Sequence, residues 1–134
     1  MPHIIVWGLL PEEIAGSSGE PGKIGKLEKI EEAITQAVLS IPELELKKSD
    51  ISYSFPEDSS VKAHYPVVII VELLFEKPKR TQEIRQLLAE RVATSFKEAV
   101  VWRNLTKVEV AVKRFDVVSS LSGFNPKKDS FFSV

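Results

Sequence analysis

The sequence contains no cysteine. That absence removes disulfides, thiolate nucleophiles, thiolate zinc sites and cysteine-ligated iron–sulfur clusters together. Histidine is almost as scarce: only His3 and His64 are present, too few for a three-histidine metal site and too far apart for a metalloprotease helix. No metal and no cofactor are expected. An excess of one charge is missing as well. Lys and Arg total 18 against 19 Asp and Glu, a net charge of −1, so no broad field draws the chain to nucleic acid or to an anionic membrane. No apolar run approaches the roughly 20 residues that span a bilayer. The opening MPHIIVWGLLPEE has no basic segment before its apolar run and has acids directly after it, so it does not read as a signal peptide. Two motifs are absent: the glycines and lysines of GSSGEPGKIGKL lack phosphate-loop spacing, and there is no G-x-S-x-G hydrolase elbow. The basic stretch KPKR is too short for a nucleic-acid patch in a neutral protein.

What is there is an ordinary globular balance, 43% hydrophobic and 28% charged, over 134 residues. This suits a single cytoplasmic domain covering 1–134 that can bury its own core. Pro2 to Leu10 is short, β-branched and apolar, the pattern of a buried strand. Pro11 to Lys26 reads as a loop and holds four of the six glycines. Leu27, Ile30, Ile34, Val38 and Ile41 then recur three or four apart, the stripe of an amphipathic helix that Pro42 ends. Ile51, Tyr53 and Phe55 alternate with Ser52 and Ser54, a half-buried strand. Pro56 to His64 is a polar connection.

Val67 to Phe75 is apolar except at Glu72, which predicts a central strand covered on both faces. Thr81 is placed to cap a second helix striped by Ile84, Leu87, Leu88, Val92 and Phe96. Lys107 to Phe115 alternates again. The tail, 119–134, is expected to be irregular and docked through Phe124, Phe131 and Phe132.

The two halves, about 2–56 and 66–116, repeat one order: proline, strand, loop, helix, strand. Pro2 and Pro66 are 64 residues apart, whereas Ile51 and Val108 are 57 apart; the difference fits a longer glycine-rich loop in the first half. The expected architecture is therefore an α+β duplicated βαβ domain with a four-stranded sheet. Right-handed crossovers put both helices on one face. The other face is left bare, and its simplest cover is another copy of the chain.

With its Met-Pro start, this duplicated unit resembles the tautomerase superfamily, the group that includes macrophage migration inhibitory factor. MPHIIV is similar to the opening of an isomerase of that group. YPVVIIVELLFEKPKRTQEI and VEVAVKRFD look closest to a small bacterial family of tautomerase-like proteins. The resemblance implies a keto–enol tautomerase acting on a small keto or enol acid. It also implies a homotrimer with sites near subunit boundaries, and Pro2 as general base.

The residue chemistry is compatible. Removal of Met1 leaves Pro2 a free secondary amine, whose reference pKa of about 7.7–8.0 is lowered by a nearby cation or an apolar pocket. A retained Met1 turns that nitrogen into an amide, which is no base. Lys77, where the resemblance places a substrate-binding arginine, and Arg80 are the candidate carboxylate binders. Lys23 and Lys26 could close over an anion, or simply lie exposed. Glu72 must pair or face a pocket. Tyr53 is either a phenolic donor or core. Trp102 is expected in the core or in the turn between helix and strand. A non-catalytic trimer of the same fold and a ferredoxin-like regulatory module are the alternatives.

Overall fold

The computed structural model describes residues 2–15, 25–58, 60–62, 64–75, 77–105, 107–115 and 130–134. Five strands and three helices follow one another: β1 (His3–Trp7), α1 (Pro11–Ala15), α2 (Lys26–Leu39), β2 (Ser52–Ser54), β3 (Val67–Phe75), α3 (Gln82–Ala99), β4 (Val108–Phe115) and β5 (Ser130–Ser133). One-turn 3-10 segments at Pro42–Leu44 and Lys48–Asp50 lead from α2 into β2.

The sheet is mixed and five-stranded, in the order β2-β1-β3-β4-β5. Each βαβ unit contributes a directly adjacent parallel pair, β1 with β2 and β3 with β4. The two units join antiparallel through β1 and β3, with Ile4 opposite Val71 and Val6 opposite Ile69. In each half a strand leads through a helix to a second strand, with the short α1 added in the first.

Three expectations need correction. The sheet has a fifth strand, because Ser130–Ser133 is not irregular but pairs antiparallel with β4, Val110 opposite Phe132. In that strand Phe132 packs on the core and Phe131 stays exposed, whereas Phe124 lies outside the described residues. Residues 11–15 form a helix rather than loop. Pro11 suits the first helical turn, Glu12 and Glu13 favour its positive end, and the Glu13 carboxylate accepts the Leu10 N–H at 2.6 Å. Finally, among the described residues helices cover β3 on one face: Val67, Ile69 and Val71 are buried, but Val68 and Ile70 are half-buried on the other side.

The helices form where the sequence signals them. The Thr81 hydroxyl accepts the Ile84 N–H at 3.3 Å and starts α3, while the Glu28 carboxylate accepts the Gly25 N–H at 2.8 Å ahead of α2. Ile30, Ile34 and Val38 of α2, with Leu88, Val92 and Phe96 of α3, close over Ile4, Val6, Ile69, Val71, Val110 and Val112. At the end of β1, Gly8 turns the chain with φ +92, and a Cβ there would sit 2.6 Å from the Pro66 carbonyl oxygen.

Candidate functional site

The register decides what meets Pro2. Because β1 and β3 run antiparallel with His3 opposite Glu72, the head of β1 lies at the same sheet edge as the end of β3. The start of β2 and the end of β4 belong to that edge too, through His3 opposite Ser52 and Phe75 opposite Phe115. Pro2 is buried, and its carbonyl accepts the Ser52 N–H at 3.2 Å. Lys77 follows β3 at this edge and is exposed.

The other basic residues of the turn are engaged elsewhere. Arg80 donates its N–H to the Lys77 carbonyl at 2.9 Å, closing the turn around Pro78. The Arg80 side chain is 5% exposed and acts as a clamp on backbone. Its Nε and Nη2 reach the Leu44 carbonyl at 3.0 and 2.6 Å, and its Nη1 reaches the Phe75 carbonyl at 2.7 Å. Burial lowers the guanidinium's pKa, while Glu45 and Asp50 act in the opposite sense. Arg85 in turn donates to the Arg80 carbonyl at 2.5 Å. Lys79 pairs with Glu45 at 3.2 Å on the surface.

Tyr53 points toward the helices. Its hydroxyl lies 2.5 Å from the Thr35 hydroxyl and donates to the Glu31 carbonyl at 3.3 Å, and its ring stacks on Phe55 at 5.7 Å. Desolvation is the main reason that its pKa is pushed up to about 12, and the Glu31 charge adds to it; the bond with Thr35 pulls the other way. Tyr53 is thus a neutral structural phenol at ordinary pH. Glu72 is half-buried on the opposite face, across from His3. Lys23 lies outside the described residues. Lys26 sits at the start of α2 with Nζ 5.5 Å from the centre of the Trp102 ring, a cation–π contact. Pro2 and Lys77 therefore share an edge, whereas Tyr53 and Arg80 serve the interior.

Two constellations were not anticipated. On the helix-free face, the His3 imidazole joins two serines: Nδ1 lies 2.7 Å from the Ser52 hydroxyl, and Nε2 lies 2.8 Å from the Ser54 hydroxyl. The alternation of Ser52 and Ser54 was readable, but their facing His3 depends on a parallel register 49 and 51 residues away. At the opposite sheet edge, Glu13 is fully buried. Its carboxylate accepts the Trp102 Nε1–H at 2.7 Å and pairs with Arg103 Nη2 at 3.4 Å, and Arg103 also donates to the Gly8 carbonyl at 3.1 Å. These groups tie α1 to the segment before β4. Trp102 lies between α3 and β4, in the turn rather than fully in the core, and packs partly buried against it.

A groove of about 380 Å³ between α2 and α3 is lined by Gln36, Ser40, Leu87, Arg91 and Thr94, away from Pro2. Among the described residues no group of three or more acidic or histidine side chains is arranged to hold a metal ion. Among the same residues no helix is long and apolar enough to cross a membrane.

Comparison with protein-family models and with curated proteins returns no match. The described residues form an α+β domain built on a mixed five-stranded sheet.

Proposed function

We propose that the protein is a tautomerase-type isomerase acting in the cytoplasm on a small keto or enol carboxylate, with Pro2 as general base. The observation that carries this reading is the register that brings the head of β1 and exposed Lys77 to one sheet edge. With Met1 removed, the Pro2 nitrogen is a secondary amine at the head of β1. It then takes a proton from the carbon beside a carbonyl, and the Lys77 ammonium holds the carboxylate and offsets the enolate charge. Adjacent parallel pairs within each unit favour the duplicated βαβ order over a split, ferredoxin-like one.

The helix-free face supports assembly into a homotrimer. It carries a row formed by Ile5, Ile70, Ala111 and Phe131, flanked by Trp7 and Val68. Trp7 is 46% exposed and Phe131 45% exposed in the single chain, the kind of apolar surface a second copy covers.

A non-catalytic oligomer of the same fold is the second reading. It is favoured by Arg80, whose guanidinium is directed to backbone carbonyls rather than to a ligand.

The deciding experiment combines intact mass with a ketonisation assay on phenylpyruvate and 2-hydroxymuconate. The isomerase reading expects Met1 to be absent, and it expects Pro2→Ala to lose on the order of 100-fold or more in rate. Equal rates in both proteins, or a retained Met1, leave only the oligomeric reading.

A further inference from the structure

We infer that Ser54 and His3 form a nucleophile–base dyad that accepts acyl groups from small activated esters. This activity is separate from proton transfer at Pro2. A neutral imidazole has one N–H and one lone pair, so it cannot receive a proton donor on both nitrogens. With Ser52 at 2.7 Å from Nδ1 and Ser54 at 2.8 Å from Nε2, one hydroxyl must donate to the ring while the other accepts from it. An O–H aimed at a histidine lone pair is the contact that makes a serine nucleophilic.

Two features select Ser54 as the attacking residue. Ser54 is directly beside Ile5, which is followed by Ile70 on the next strand, so an apolar acyl chain has a floor next to its hydroxyl. Ser52 is more exposed, and its partner across the ladder is His3 rather than an apolar residue. With Nε2 as the acceptor, Nδ1–H donates to Ser52, which fixes the tautomer and the ring orientation.

Glu72 is the cross-strand neighbour of the imidazole. It lies directly opposite His3 on β3, on the same helix-free face, where cross-strand neighbours are about 4.5–5.5 Å apart at Cβ. The dyad stands at the β2 border of the face, next to Ile5 at the end of the apolar row.

In the reaction, Ser54 Oγ attacks the ester carbonyl carbon, and its proton passes to His3 Nε2. The bond from carbonyl carbon to the leaving oxygen breaks, and the leaving alcohol takes the proton back from Nε2. Water then attacks the acyl-serine by the same proton route, releasing the acid and restoring Ser54.

The test uses the whole protein with p-nitrophenyl butyrate, following p-nitrophenol release and locating the adduct by intact mass and peptide mapping. A butyryl group on Ser54 is expected. His3→Gln is expected to lower acylation on the order of 100-fold, and Ser54→Ala to abolish the adduct. Ser133→Ala, an exposed serine on the same face, serves as the control and keeps the wild-type rate. Circular dichroism confirms that each variant is folded. An adduct on Ser52 or on lysine, an unchanged rate in His3→Gln, or no acylation above free serine overturns the inference. Ketonisation without acylation removes this inference alone, and acylation without ketonisation removes the isomerase reading alone.

Discussion

The two faces of one sheet behave as different materials, although the same strands supply both. Along β3, Ile69 is fully buried while its neighbour Ile70 is only half-buried; along β1, Val6 is fully buried while Trp7 is 46% exposed. On the helix side the polar groups that enter the interior are tied to fixed partners, Tyr53 to α2, Arg80 to two carbonyls, and Glu13 to Trp102 and Arg103. On the other side His3, Ser52, Ser54 and Glu72 meet water beside an apolar row. The difference separates what holds the domain together from what is left for chemistry and association. The helix side is closed, while His3, Ser52, Ser54 and Glu72 stay on the open side.

The contrast can be broken or sharpened by substitution. Glu13→Ala is expected to cost about 3–5 kcal/mol, because it removes the carboxylate partner of a buried Arg103 side chain and of an indole N–H; urea denaturation measures it. The paired truncations Ile69→Ala and Ile70→Ala test the two faces on adjacent residues. The first should cost about 2–5 kcal/mol and the second about 1 kcal/mol in the separated chain, and equal costs would break the comparison.

Tyr53→Phe should cost about 1 kcal/mol near neutral pH by removing one bonded hydroxyl. It also changes the alkaline limb. The phenol's pKa goes from 10.0 to about 12 on folding, so the native state keeps a proton that the unfolded chain has already released. The phenol's contribution is present below pH 10 and is lost as pH rises toward 12. In Tyr53→Phe that part of the decline should disappear from the stability-versus-pH curve. The smallest effect on unfolding is expected for Phe131→Ser, about 0.5 kcal/mol or less in the separated chain. Light scattering should nevertheless show its assembly weakened, and an unchanged particle mass would count against an open face covered by copies.

Much of the frame is legible in the order of residues alone. Alternation at Ile51 to Phe55, the helical stripe through Ile34 and Val38, and the cap at Thr81 are local signals, and each marks the right element. The parts that escape such reading are those that depend on distant partners. The helix at 11–15 is too short to show a period, and it holds its first turn through Glu13, whose indole partner Trp102 is 89 residues away. Residues 130–133 become a strand because β4 offers an open edge, not because SFFS carries a strong alternation. The candidate site divides in the same way. The placing of Lys77 beyond β3 was readable, but Arg80 meets backbone carbonyls, which carry no sequence signal. The meeting of His3 with two serines required the register itself.

Arg80 has a consequence for how the domain comes apart. The carbonyl that accepts two of its hydrogen bonds belongs to Leu44, in the first βαβ unit, whereas Arg80 and Phe75 belong to the second. Separating the units would orphan an acceptor on one fragment and strip a guanidinium on the other, a loss neither piece can repair internally. Duplicated order therefore does not mean two autonomous beads on a string. Slow amide exchange should disappear from both units in one cooperative opening, with neither persisting as a foldon of its own.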